Sequence, residues 1–190
     1  VKISSKASTG KPVFHYSADI RLENKIPLEG TVIIPDLAES DIYDGAAFYE
    51  NGTLFHGPRF QAVERVINMS ERGMTMECRI PTIPVKDQGQ FRAGTFNPYA
   101  ADVQFQSMLI WVRHFMNSGS LPSQAAEGIH YANVPEGKKF YVTLKIVKKA
   151  DSSVIADIFT HDREGNVFTQ VRGAEVTVSK QLNTLFVKAV

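Results

Sequence analysis

The chain has 190 residues, of which 43% are hydrophobic and 22% are charged, and its formal net charge is +1. These values are typical of one sizeable globular domain, and the absence of a basic patch argues against a nucleic-acid partner. A single cysteine, Cys78, excludes an internal disulfide and indicates a reducing, cytoplasmic location, with no signal peptide and no apolar run that could span a membrane. Because the chain begins at Val1 rather than at a methionine, we expect a piece excised from a longer protein.

The N-terminal region predicts one clear strand. Residues 2–11 are polar and rich in serine and glycine, which is typical of a loop. Residues 13–22 alternate between apolar and polar side chains, which predicts a half-buried strand. The apolar run at residues 30–35 is a candidate second strand, and the acidic residues 36–52 predict a linker with a short helix at residues 46–50.

The next region predicts a short helix followed by a hairpin. Pro58 opens the helix, which runs through Phe60. The hairpin, at residues 63–80, has two strands of alternating polarity, and Gly73 in its turn supplies a left-handed backbone conformation. Cys78 falls on the apolar face of the second strand, so we interpret it as a small core residue rather than a nucleophile.

The longest predicted element is a helix over residues 100–117. Asn97 offers an N-cap and Pro98 a first-turn proline, whereas Gly119 and Pro122 are stop signals. Apolar side chains occur on nearly every face of this helix. This pattern indicates a helix that is buried on most sides.

Strands are predicted after the helix at residues 129–134, 140–146, 154–159 and 167–178. The last of them changes phase at Gly173, as a β-bulge requires. Together with the hairpin they predict an antiparallel sheet that wraps around the helix, which is an α+β architecture.

Asp102 and Gln106 are the polar residues of interest in the helix. They lie at positions i and i+4, so their side chains are neighbours on one face. The residues alone leave two interpretations open. Either Asp102 decorates the first helical turn, where carboxylates are favoured, or it belongs to a functional site.

Four motifs in a fixed order resemble the C-terminal part of a polyketide-synthase dehydratase domain. They are Gly-Pro-Arg-Phe-Gln at residues 57–61, Pro98 followed four residues later by Asp102, the D-x-x-x-Q spacing from Asp102 to Gln106, and Leu121-Pro122. Their order and rough spacing agree with the family over residues 54–178. The sequence of the helix is most similar to the dehydratase-like domains of bacterial polyunsaturated fatty-acid synthases.

The resemblance implies a double hot-dog fold, in which two units of a central helix wrapped by a curved antiparallel sheet lie side by side. It implies remnant strands of an incomplete N-terminal unit at residues 1–38, a linker at 39–59, a C-terminal hot dog at 60–180 and a tail at 181–190. An incomplete double unit exposes an apolar sheet edge, which predicts self-association, for example as a homodimer.

Members of the family remove water from β-hydroxyacyl chains carried on the phosphopantetheine of an acyl carrier protein. The resemblance therefore implies acyl carrier protein and the other synthase domains as partners, with no cofactor bound directly. In the family a histidine takes the C2 proton, an aspartate protonates the departing C3 hydroxyl group, and a glutamine or histidine one turn later orients that aspartate. The aspartate and its partner map onto Asp102 and Gln106. Substrate-binding positions map onto His56, Gly57, Pro58 and Phe60.

Two departures from the family pattern alter the prediction. The histidine motif H-x-x-x-G-x-x-x-x-P is absent, and the five histidines lie in other contexts. We therefore expect a part of a hydro-lyase that is inactive by itself, because its catalytic histidine half is missing.

A tyrosine often precedes Gly-Pro in the family, whereas His56 stands there in this chain. His56 either substitutes as a hydrogen-bonding group or is a packed side chain.

Other functions agree with parts of the same pattern. One alternative is a non-catalytic hot-dog module that holds acyl chains or organises the synthase, and another is a product-template-like cyclase. A free-standing hot-dog thioesterase agrees less well with the Gly-Pro-x-Phe-Gln element. No metal site is predicted, because Cys78, His114 and His130 lack ligand spacing.

Overall fold

The computed structural model describes residues 1–24, 33, 36–40, 42–82, 84–88 and 96–185. Except for Ile33, the candidate strand at residues 30–35 lies outside these ranges. The strands are β1 (Lys2–Lys6), β2 (Pro12–Ser17), β3 (Tyr43–Asp44), β4 (Val63–Ser70), β5 (Gly73–Arg79), β6 (Gly119–Gln124), β7 (Glu127–His130), β8 (Lys139–Lys149), β9 (Ser153–His161) and β10 (Val167–Ser179). The helices are α1 (Gly45–Glu50), α2 (Pro98–Met116) and α3 (Leu182–Leu185), with short 3-10 helices at Pro58–Phe60 and Val85–Asp87.

A large antiparallel sheet surrounds helix α2. Its strand order is β3-β4-β5-β8-β9-β10-β6, and β7 also pairs with β10. Side chains from the inner face of the sheet and from α2 form one apolar core, which is the arrangement that the sequence predicts. The hot-dog fold is therefore confirmed. Among the helices of the described ranges, none combines the length and the apolarity that crossing a bilayer requires.

Local signals at both ends explain where α2 lies. The Asn97 carboxamide oxygen accepts hydrogen bonds from the backbone N–H groups of Tyr99 (3.0 Å) and Ala100 (3.3 Å), and Pro98 occupies the first turn. At the other end, Asn117 adopts a left-handed conformation with a φ of 47°. Trp111, at the centre of the core, is fully buried, and its indole N–H donates to the Ser70 carbonyl group at 2.8 Å.

Two glycines are required by the sheet for different reasons. Gly173 has a φ of +56° at the predicted bulge, where the register of β10 against β9 shifts between Val171 and Ala174. The sequence predicts a left-handed Gly73, but its φ of +158° is close to the extended region. A Cβ atom at Gly73 would lie 2.1 Å from the carbonyl oxygen of Leu144, so the close approach of β8 is what requires glycine here.

The N-terminal residues differ from the prediction in two ways. The expected loop contains β1, which pairs with β2 in a separate two-stranded sheet. The expected half-buried strand ends at Ser17, and its apolar side chains are exposed, with Phe14 at 73% and Tyr16 at 71%. Alternation correctly indicates a strand, but no described part of the chain covers its apolar face. The predicted self-association agrees with this exposure and stays a prediction.

Strand β6 is absent from the sequence prediction, and the strand expected at residues 129–134 forms earlier, as β7. Gly119 and Pro122 are stop signals in the sequence, yet both lie within β6. Proline is tolerated here because β6 is the last strand in the order of the sheet, where a missing backbone N–H disrupts no second neighbour.

A polar cluster is buried on the face of the sheet opposite α2. The Thr143 hydroxyl group lies 2.8 Å from Nε2 of His161 and 3.2 Å from the Thr75 hydroxyl group. Nδ1 of His161 lies 2.7 Å from the carbonyl oxygen of Asp162 and must donate to it, so in the neutral ring Nε2 accepts from the Thr143 hydroxyl group. Burial lowers the pKa of His161, the nearby Lys145 lowers it further, and Asp162 partly opposes both effects.

We expect the free energy of unfolding to fall as the pH decreases below about 6.5. In this range the unfolded chain binds a proton at His161, whereas the folded chain resists it because its pKa is lowered. The unfolded state therefore takes up more protons, and acid destabilises the fold. Urea denaturation above and below this pH measures the loss. His161→Gln should reduce it, and His15→Gln, on the exposed hairpin, should not. An unchanged pH dependence in His161→Gln would contradict the assignment.

Candidate active site

A cavity of about 320 Å³ lies between α2, the segment that follows α1, and strands β6 and β10. Its lining includes four of the six predicted site residues: His56, Gly57, Phe60 and Asp102. Pro58 opens the 3-10 helix beside it, as predicted. Gln106 is fully buried one helical turn behind Asp102. The helix therefore presents one carboxylate to a largely apolar cavity and supports it from behind.

The Asp102 carboxylate is held through one of its oxygens. Gln106 donates from Nε2 to Oδ2 at 2.8 Å, and Nε2 of His56 lies 3.3 Å from the same oxygen. The Asp102 side chain is 33% exposed, so it remains accessible from the cavity. Both partners contact Oδ2, and no described residue is a hydrogen-bonding partner of Oδ1. Oδ1 is therefore available to hold or deliver a proton.

A buried network determines which way Gln106 points. The Tyr49 hydroxyl group accepts hydrogen bonds from the backbone N–H groups of Ala62 (3.1 Å) and Val63 (3.2 Å), so its own proton is directed to Oε1 of Gln106 at 2.7 Å. Nε2 of Gln106 then has two protons, which it donates to the Phe60 carbonyl oxygen and to Asp102, each at 2.8 Å. The hydroxyl group of Tyr49 thus accepts two hydrogen bonds and donates one, which is its full capacity. The amide cannot flip without breaking these bonds.

Tyr49 is the residue of this network that the sequence analysis missed. It lies 57 positions before Gln106 and belongs to the short helix α1, whose sequence contains no recognised motif. Burial raises the pKa of Tyr49 well above its usual value, so the hydroxyl group stays protonated and remains a donor to Gln106. No local pattern could have assigned this role.

His56 is positioned by stacking and by the carboxylate. Its ring stacks on Phe55 with centroids 4.5 Å apart, and its side chain is 13% exposed. Burial lowers the pKa of His56, and the negative charge of Asp102 partly opposes this effect. A neutral ring with its proton on Nε2 can donate to Asp102. The 3.3 Å distance places His56 within ion-pair range of Asp102, and both interpretations of His56 stay predictions.

Other chemistries find no support in the described parts of the chain. Cys78 is fully buried in the core, and burial raises the pKa of its thiol well above the usual value, which argues against a nucleophile. No group of three or more histidine, cysteine, aspartate or glutamate side chains in these ranges could hold a metal ion.

A helix wrapped by an antiparallel sheet, with an aspartate supported by a glutamine beside an apolar cavity, defines a dehydratase-type hot-dog domain. A protein-family model described as the polyketide synthase dehydratase N-terminal domain matches residues 37–184, and the chain belongs to this family. The family name refers to an N-terminal domain, whereas the motifs were matched to the C-terminal part of a double hot dog. The division of the chain into parts of a double unit therefore stays a prediction.

Individual relatives agree with the family assignment. The chain is 29% identical over 175 residues to a polyunsaturated fatty acid synthase polypeptide of Thraustochytrium sp. (strain ATCC 26185 / S-3), and the match covers 89% of this chain and 6% of that protein. A trans-AT polyketide synthase dehydratase domain from Brevibacillus brevis matches 94% of this chain and 64% of its own, with a TM-score of 0.66 and 15% identity.

The CurJ dehydratase, solved as an inactive mutant with a bound compound, is a second structural relative. It matches 94% of this chain and 62% of its own, with a TM-score of 0.62 and 18% identity. At these identities the structures establish the fold. The chain thus spans under two thirds of the solved dehydratase domains and a small fraction of the Thraustochytrium synthase polypeptide.

Proposed function

We propose that this chain supplies the acid half of a β-hydroxyacyl dehydratase within a cytoplasmic polyketide or polyunsaturated fatty-acid synthase. Its substrate is a β-hydroxyacyl chain carried on the phosphopantetheine of an acyl carrier protein, and no cofactor binds directly. The observation that carries the proposal is the directed network from Tyr49 through Gln106 to Asp102 beside an apolar cavity. A helix-capping aspartate on the surface would not need a buried support of this kind.

Asp102 acts as the general acid in the proposed reaction. A base removes the proton from C2, the C2–C3 double bond forms, the C3–O bond breaks, and Asp102 gives its proton to the departing hydroxyl group, which leaves as water. The aspartate is then a carboxylate. Gln106 donates a hydrogen bond to this carboxylate and His56 lies 3.3 Å from the same oxygen, so both residues are placed to stabilise the charge as it develops.

All five histidines lie in the described ranges and none faces Asp102 across the cavity, so we place the base outside this chain. His56 touches the acid itself rather than facing it across the cavity, and His161 is fully buried in the polar cluster beyond the sheet. His15 lies on the exposed hairpin, and neither His114 nor His130 lines the cavity that contains Asp102. An acid without its base cannot complete the elimination.

We expect the 190-residue chain alone to show no dehydration of a 3-hydroxyacyl carrier protein, and the same chain extended to its complete dehydratase domain to be active. Mass spectrometry of the acyl carrier protein detects the loss of water directly. If the chain alone shows turnover and Asp102→Asn abolishes it, the chain contains its own base. That result would contradict the proposal that this chain supplies only the acid. An inert complete domain would exclude dehydration and favour the acyl-holding alternative.

A further inference from the structure

A second cavity, of about 280 Å³, lies on the neighbouring face of α2, against strands β7 and β10. Its walls combine aromatic, alanine, valine and isoleucine side chains: Phe96, Ala101, Phe105, Ile129, Val134 and Val171. This cavity contains none of the residues assigned to the acid–base reaction. Its chemistry is that of a site for an apolar ligand.

Gln104, a polar residue of the second cavity, is committed to the protein. It donates from Nε2 to the hydroxyl groups of Thr160 and Thr169, both at 2.8 Å. The rest of the lining is mostly apolar, so the interior favours an alkyl chain over a bound polar molecule.

Phe105 connects this cavity to the candidate active site. It is the one described residue whose side chain contributes to the walls of both cavities, and it lies one helical turn after Asp102. Its half-buried ring therefore forms the partition between them. The two volumes, about 320 and 280 Å³, each lie near the lower limit of about 300 Å³ for ligand pockets, but joined they fall well within the usual range.

We propose that the second cavity binds the distal end of a long acyl chain, and that Phe105 controls how much of that chain can enter. The identity of the ligand as an acyl chain rests on the proposed dehydratase function. In this arrangement the β-hydroxy group lies beside Asp102, and the alkyl tail passes the Phe105 ring toward Ala101. Substrate length is thus determined by Phe105, which lies on helix α2 three residues after Asp102 and lines both cavities.

Binding of saturated acyl-pantetheine thioesters to the 190-residue chain tests the proposal, because these probes bind without being dehydrated. Titration calorimetry should show tighter binding of a decanoyl than of a butanoyl thioester. Each methylene that enters the cavity should raise the affinity by about fourfold, which corresponds to about 0.8 kcal/mol. Equal affinity for the two probes would contradict the second cavity as a chain site.

Two substitutions should change the chain-length preference in opposite directions. Ala101→Phe fills the second cavity and should weaken decanoyl binding at least tenfold while leaving butanoyl binding within about twofold. Phe105→Leu removes the ring and should increase the ratio of decanoyl to butanoyl affinity. Ala101→Leu, a smaller filler, provides the same test with less risk to the fold. A ratio that does not respond to filling the cavity would overturn the proposal.

A matched control and the dehydration assay separate this inference from the function on which it rests. Phe159→Ala removes an aromatic ring from the opposite face of β9, where it lies beneath the Lys145 ammonium group, and should leave the ratio unchanged. If the complete domain dehydrates its substrate but Ala101→Phe leaves the ratio of decanoyl to butanoyl affinity unchanged, only this inference fails. If the ratio responds but the complete domain is inert, the proposed function fails and the acyl-chain site stands.

Discussion

Asp102→Asn in the complete dehydratase domain is expected to lower the rate of dehydration by about 10²–10⁴-fold without disturbing the fold. Asparagine has nearly the same shape as aspartate, and its carboxamide oxygen can still accept the hydrogen bond from Gln106. It has no acidic proton to give to the departing hydroxyl group. The loss should therefore appear in kcat rather than in substrate binding, which a titration with a non-reactive acyl thioester can verify.

Two further variants place this result in context. Gln106→Ala should cost less, because it removes the support of the carboxylate but leaves the proton donor, and Tyr49→Phe should resemble it because the Gln106 amide loses its orienting partner. Asp151→Asn, on the exposed turn between β8 and β9, is the matched control and should be neutral. Near-normal turnover by Asp102→Asn would refute the catalytic assignment and leave the scaffold function as the better account.

Trp111→Ala is expected to reduce the free energy of unfolding by about 3–5 kcal/mol. The indole is completely buried between α2 and the sheet, and its removal leaves a large cavity and deletes the hydrogen bond to the Ser70 carbonyl group. Urea denaturation followed by far-ultraviolet circular dichroism measures the change. Phe14→Ala, on the exposed hairpin, provides the aromatic control and should stay within about 0.5 kcal/mol. A loss below about 1 kcal/mol at Trp111 would contradict its central place in the core.

Elements whose signals are local could be predicted from the sequence. Helix α2 followed from Asn97, Pro98 and an apolar surface on most faces, and the bulge in β10 followed from a change of phase at Gly173. Strand β6 was missed because Pro122 is a stop signal in isolation. Its neighbour in the described sheet, β10, pairs with it from more than 50 residues further along the chain, so the edge position that makes the proline tolerable has no local signal.

The candidate site divides in the same way. The pairing of Asp102 with Gln106 could be predicted, because helical spacing alone brings them together. The support from Tyr49 and the approach of His56 could not, since both depend on how a distant loop and helix pack against α2. The exposure of the N-terminal hairpin is also non-local, because alternation indicates that a strand has an apolar face but not what covers it.

The isolation of Cys78 has a practical consequence for labelling this protein. It is the only cysteine in the chain, it is completely buried on β5, and burial keeps its thiol protonated. Maleimides react with exposed thiolates, so the folded protein should be inert to them without any substitution. A single cysteine introduced at an exposed position, such as Tyr16→Cys on the N-terminal hairpin, would then carry a spin label or dye alone. The mobility of that label would report whether the exposed hairpin becomes covered when a partner binds.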